Sequence, residues 1–254
     1  MEEKKQSNGG VIAIVILSIL LILTSGYIVY EKMNGINQEK KNNNINNNSV
    51  IDNRKPTEVK VSEETAKKLV DVELKNFLNY EKYTGLDKGI SFDNVVSALD
   101  WILSQNVSKE LKTIGNFCGS ELEKVLVSKK IIAGKGEGQF ACDSTDVYKL
   151  SDIKVKAKEY FKDSDKLDFT TLATSEAQTS SYYYEPTTAS IVVRVSGVQS
   201  ATIQYLKHSV ESNILNISFT SNDGAINSVD VTYIAKFDIV NNKYYINSIT
   251  KASN

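Results

Sequence analysis

Residues 11–30 read VIAIVILSILLILTSGYIVY, twenty positions without a charge and almost wholly apolar. At 1.5 Å per residue such a helix spans roughly the 30 Å hydrocarbon core of a bilayer. No water is present there to satisfy backbone amides, so an isolated spanning segment is expected to be helical. Tyr27 and Tyr30 mark its far end, where amphipathic rings favour the headgroup region. Gly9-Gly10 precede the run and Glu31-Lys32 follow it. A cleaved signal peptide is the rival reading, since Lys4 and Lys5 supply a basic start. The small residues Thr24-Ser25-Gly26 form no A-x-A site, and apolar character resumes at Tyr27-Ile28-Val29. No cysteine follows the run, which removes the lipoprotein route. The expectation is an uncleaved signal-anchor behind a cytoplasmic tail, residues 1–10.

Orientation rests on the flanking lysines. Lys4 and Lys5 stand on one side, Lys32, Lys40 and Lys41 on the other, so the positive-inside rule discriminates weakly. A short tail before a first helix and one large domain behind it favour translocation of that domain. The expected location is the cell membrane, single-pass, with the C-terminal domain outside.

Residues 31–59 read as a flexible tether. Between positions 34 and 56 the only apolar side chains are Ile36, Ile45, Val50 and Ile51, among many asparagines. That is too little apolar surface to offset the entropy of ordering the backbone. A coil of this length reaches ~25 Å root-mean-square. The wealth of Lys, Asn and Ile, against only two arginines (Arg54 and Arg194), points to an AT-rich bacterial genome.

Residues 60–254 suffice for one domain with a sizeable core. They carry 23 basic and 25 acidic side chains and no basic patch suited to phosphates, so nucleic acid is not an expected partner. The first half has helical periodicity. Ser62 is the expected cap of a helix using Ala66, Val70, Leu74, Phe77 and Leu78, ending near Thr84-Gly85. A second helix is expected from Ser91, with Phe92, Val95, Val96, Leu99, Ile102 and Leu103 inward. A third is expected from Ser108 to Ile114, and a fourth capped by Ser151 with Ile153, Ala157, Tyr160 and Phe161 inward. Residues 122–132 fit helix or strand.

The last third alternates with period two. Ile191, Val193 and Val195 do so, as do Leu215, Ile217 and Phe219. The longest run is Val229, Val231, Tyr233, Ala235, Phe237 and Ile239. Residues 201–210 lean to strand, and Asn222-Asp223-Gly224 and Asn241-Asn242 read as turns. Helices first and consecutive strands later predict an α+β fold, with helices on one face of an antiparallel sheet formed mainly by the C-terminal third.

The closing segment FDIVNNKYYINSI resembles the final hairpin of cystatin-like and NTF2-like extracytoplasmic domains. The layout as a whole resembles membrane-anchored, mostly uncharacterised surface proteins of low-GC bacteria. Neither resemblance carries functional residues onto this chain.

Cys118 and Cys142 are the only cysteines; outside the membrane an even pair favours a disulfide, and in a cytoplasmic domain two buried free thiols would be the reading. Two cysteines and a distant histidine are too few for a metal site. His208, the sole histidine, has no nucleophile motif beside it and reads as a surface residue. Asp163, Asp165 and Asp168 miss the calcium-loop pattern, because Leu167 and Ala173 fall at ligand positions. Gly134, Gly136 and Gly138 lack the G-K-[ST] ending of a phosphate loop. Asn47, Asn106 and Asn216 begin chance sequons. Tyr182-Tyr183-Tyr184, in a Ser/Thr-rich stretch, is the expected recognition loop, since stacked tyrosines suit sugars or peptides. With no catalytic motif and no cofactor signature, the chain reads as a non-enzymatic surface protein binding an envelope protein or cell-wall polymer. A structural subunit of a secretion or conjugation complex is the first alternative, and an envelope-polymer hydrolase the second.

Overall fold

The structure is a computed structural model that describes residues 59–80, 86–106, 109–175, 180–194, 201–222 and 230–253. The expected tail, membrane helix and nearly all of the tether lie outside the described residues. So do Thr84-Gly85, Ser108, Val195, Asp223-Gly224 and Val229. The chain divides after Pro56, and the unit Thr57–Asn254 contains everything described below. Among the described residues no helix is long and apolar enough to cross a membrane. The unit is α+β, and its long strands are C-terminal.

Helix α1 starts as α-helix over Glu63–Lys68, widens to a π-helix over Leu69–Leu74 and returns to α-helix over Lys75–Tyr80. Ser62 caps it in extended conformation, its hydroxyl accepting from the Thr65 amide at 3.1 Å. Glu63 and Glu64 then sit where the helix dipole favours negative charge. The five expected core residues of α1 are all buried.

Helix α2, Val95–Ser104, begins four residues later than expected. Asn94 is the cap, its side-chain oxygen accepting from the amides of Val96 and Ser97. Ile90–Ser91 instead form strand β1 against Ile249 and Ser248. Trp101, fully buried on α2, lies 5.2 Å from the ring centroids of both Phe77 and Phe92 and 6.4 Å from Phe237. These contacts join α1, α2 and the large sheet in one core.

The helix expected up to Ile114 does not form in the described residues. The Asn106 side chain bonds both the amide and the carbonyl of Leu111, competing with helical pairing, and Lys109 takes a left-handed φ of 55°. Thr113 pairs instead with Tyr148. The ambiguous stretch is helical up to Ser128, within helix α3, Glu121–Ser128, which Ser120 caps. Helix α4 is Leu150–Tyr160, and its cap position is Lys149 rather than Ser151. Strand β2, Asp146–Lys149, runs straight into it, so Ser151 falls inside the first turn and bonds Asp152.

Strands β3 (Tyr182–Glu185) and β4 (Ser190–Val193) join β2 in a three-stranded antiparallel sheet, ordered β2-β4-β3. The large sheet is ordered β1-β8-β7-β6-β5. It contains β5 (Thr202–Glu211), β6 (Ile214–Asn222), β7 (Val231–Val240) and β8 (Lys243–Lys251). Two-residue turns join β5 to β6 and β7 to β8. Both turn residues have positive φ in each case: 51° and 63° at Ser212-Asn213, 51° and 62° at Asn241-Asn242. Such turns match the twist of the strands they connect. Leu215, Ile217, Phe219, Tyr233, Ala235 and Phe237 line one buried face and share a cluster with the helices.

Phe237→Ala is expected to cost about 3–5 kcal/mol, because it opens a cavity against Trp101. Val155→Ala, on the 61 % exposed face of α4, is expected to stay within about 0.5 kcal/mol. Urea unfolding of the two variants checks the contrast.

Candidate functional site

The three-stranded sheet is covered on both faces, and this decides where the tyrosine run goes. Alternation sends neighbouring side chains to opposite faces. Tyr182 enters the main core and its hydroxyl donates to the buried carboxylate of Asp100 on α2. Tyr183 enters a second core with Phe117, Leu122, Leu126 and Val192. Its hydroxyl accepts from the Ser180 amide at 3.2 Å and from Arg194 at 3.1 Å. Tyr184 is half-buried against the main core. The expected recognition loop is therefore a strand with two of its three rings buried. The same two-sided cover explains why β4 is buried at all four positions rather than at alternate ones.

Cys118 and Cys142 form a disulfide with Cα atoms 5.4 Å apart. It ties the approach to α3 to the approach to β2. Between them the glycine-punctuated turn is closed by Glu137, whose carboxylate accepts from the Gly134 amide. Glu123 lies close to both sulfurs, but a disulfide offers no thiolate, so this trio is not a metal site.

Beside the stapled lobe is a cleft of about 520 Å³. One wall is Ile114, Asn116, Phe117, Ser120 and Leu122; the other is Lys149, Ser151, Thr188, Ala189 and Ser190. Phe117 and Leu122 are buried at its base, and Ile114 is exposed at its rim. The walls are held by short-range backbone contacts: the Leu150 amide donates to the Ala189 carbonyl at 2.9 Å, and the Ile114 amide to the Val147 carbonyl at 2.7 Å. Ala189 takes a left-handed φ of 48°, a conformation uncommon for any residue with a Cβ. An apolar base with neutral hydroxyl and amide groups around it, plus one lysine, suits binding of a neutral or weakly anionic chain. The sequence marks Ile114 and Ser151 only as helix ends and does not bring these residues together, because they come from three separate segments and carry no motif.

Glu185, fully buried at the end of β3, pairs with Lys129 at 3.0 Å. Burial works against its ionisation, but hydrogen bonds from Thr187 and Lys129 outweigh this and hold its carboxyl below the ordinary value. His208 is half-buried rather than a free surface group. One ring nitrogen bonds the Tyr205 hydroxyl at 2.7 Å and the other the Val61 carbonyl at 3.0 Å. A carbonyl only accepts, so Nε2 carries a proton, and β5 is pinned to the start of the unit. Asp163 precedes a 3-10 turn and Asp165 lies within it, and Asp168 caps the next one through Thr170, as structural residues do.

No family model, curated protein or solved structure matches this chain.

Glu73 lies in the π-helical segment, half-buried, where burial pushes its carboxyl up to about 7 although Lys68 partly opposes this. Between about pH 4.5 and 7 the folded chain retains a proton that the unfolded chain has released. Stability from this residue therefore falls as pH rises through that window. Glu73→Gln is expected to match the parent near pH 4.5 and to exceed its Tm by about 2–4 °C at pH 8, the scale of about 1 kcal/mol in a domain of this size. Thermal unfolding across pH checks this, and a pH-independent difference would refute it.

Proposed function

We propose that the protein is a membrane-anchored binding protein whose outer domain takes a protein or cell-wall polymer into the cleft between residues 114–122 and 149–151/188–190. The run at residues 11–30 is the anchor, and the Asn-rich segment holds the domain off the membrane. The observation that carries the reading is the disulfide beside the cleft. Such bonds persist in oxidising compartments and are rare in the cytosol, so the pair fits an extracytoplasmic site. The cleft's chemistry supports binding, since apolar surface supplies affinity and fixed hydroxyl and amide groups supply orientation.

A membrane-impermeant maleimide is expected to label Cys118 and Cys142 on intact cells only after reduction. Labelling only after lysis overturns the orientation. Crosslinked pull-downs with the full chain are expected to recover an envelope partner that Thr188→Arg, which fills the cleft mouth, loses. Recovery undiminished by that substitution removes the cleft from the proposal.

Replacing both cysteines by serine releases a loop of 24-residue separation. The expected loss is about 3 kcal/mol on the chain-entropy model. Urea unfolding of the oxidised parent against the double variant measures it.

A further inference from the structure

Thr145 Oγ1 and Arg194 Nε are both buried and both lack a hydrogen-bond partner. They fall at one place. Asp146 pairs with Val193 across β2 and β4, so Thr145 and Arg194, one residue beyond, oppose each other at the end of the sheet. Alternation puts Thr145 on the face of Val147 and Arg194 on the face of Val192. Both valines belong to the second core with Tyr183. Thr145 is only 8 % exposed, so its empty hydroxyl is a real cost.

Arg194 lies against two aromatic rings. Its guanidinium carbon lies 4.3 Å from the Phe140 ring centroid and 5.4 Å from that of Tyr183, and one terminal nitrogen donates to the Tyr183 hydroxyl. Every ion pair among the described residues uses a lysine, so no carboxylate there neutralises this guanidinium. A half-buried cation that is stacked, oriented and uncompensated, beside an unpartnered hydroxyl, is arranged for a planar anion.

We infer that Arg194 and Thr145 form a carboxylate-binding site at the end of the three-stranded sheet, separate from the cleft. A carboxylate bridges the free edge of the guanidinium and accepts from the Thr145 hydroxyl. Phe140, half-exposed at the end of the glycine-punctuated turn, is the wall that moves aside to admit it. The ligand is an external carboxylate, from a peptide or from an acidic sugar. The inference stands independently of the anchor and of the cleft.

The chain has only two arginines, so the arginine Nε–H region of its ¹H–¹⁵N spectrum holds two resonances, assigned with Arg54→Lys. Full-length protein in detergent is titrated at constant ionic strength with N-acetylglycinate, with glucuronate and with chloride. The Arg194 resonance is expected to shift saturably with one or both carboxylates and not with chloride, while that of Arg54 stays still. The tighter of the two carboxylates names the source. Thr145→Val is expected to weaken the binding about tenfold, the scale of one hydrogen bond to a charged group, while the ligand-free protein unfolds at the same or a higher temperature because an unpartnered buried hydroxyl is removed. Equal shifts with chloride mean an adventitious ion only and overturn the site, as does undiminished binding by Thr145→Val.

Discussion

A three-stranded sheet of four-residue strands depends on what packs against it, because strands this short bury little surface among themselves. Here β2, β3 and β4 persist because both faces are covered and both edges are sealed. Tyr182 and Ile191 face the helices and the large sheet, while Tyr183, Val147 and Val192 face the stapled lobe. Thr113 bridges to β2 at one edge and Ala173 to β3 at the other, which leaves little bare backbone. The cleft and the arginine site are both placed by this partition. One lies at the β2-to-α4 junction and the β3–β4 turn; the other lies at the opposite end of β4.

The partition brings the carboxylates of Asp100 and Glu185 inside, and each of the two is answered locally. Asp100 meets the Tyr182 hydroxyl, and Glu185 meets Lys129 and the Thr187 amide. These contacts also fix direction. Removing one partner from such a pair costs more than the pair contributes, because the other is left desolvated. A strand whose neighbours must meet Asp100 on one side and Arg194 on the other cannot slip by one residue without stranding both. Register in β3 is thus specified by polar contacts as well as by apolar alternation.

The readable parts of the sequence were those in which one period repeats over many residues with one face wet. β6 and β7 alternate because only one face of the large sheet is covered, whereas a register shift at Asn247 breaks the pattern of β8. The α1 stripe and its Ser62 cap were equally legible. Legibility failed where both faces are buried or where a side chain captures the backbone. The tyrosine run looked like a recognition surface because neither flanking segment revealed that both its faces are covered. The helix expected before Ile114 was lost to Asn106, whose side chain bonds Leu111 at a range no periodicity reports. The start of α2 moved because Ile90 and Ser91 add to β8, a pairing set more than 150 residues away. The cysteine pair was legible because it depends on count rather than on periodicity.

The stapled lobe explains why a chain with an ample main core also holds a disulfide. The second core is small, and the stretch between α3 and β2 is mostly turns, with its left-handed positions at Lys130, Gly136 and Gly138. Such a segment gains little from secondary structure, so closing its loop covalently removes entropy from the unfolded chain where packing cannot compensate for it. The bridge joins Cys118, one residue from the cleft wall at Phe117, to Cys142, two residues from Phe140 over Arg194. Both candidate sites therefore hang on the two ends of one covalent tie. The tie fixes the backbone beside the cleft wall and two residues beyond Phe140 without ordering the turn between them, so in the proposed carboxylate site it is the Phe140 side chain that gives way.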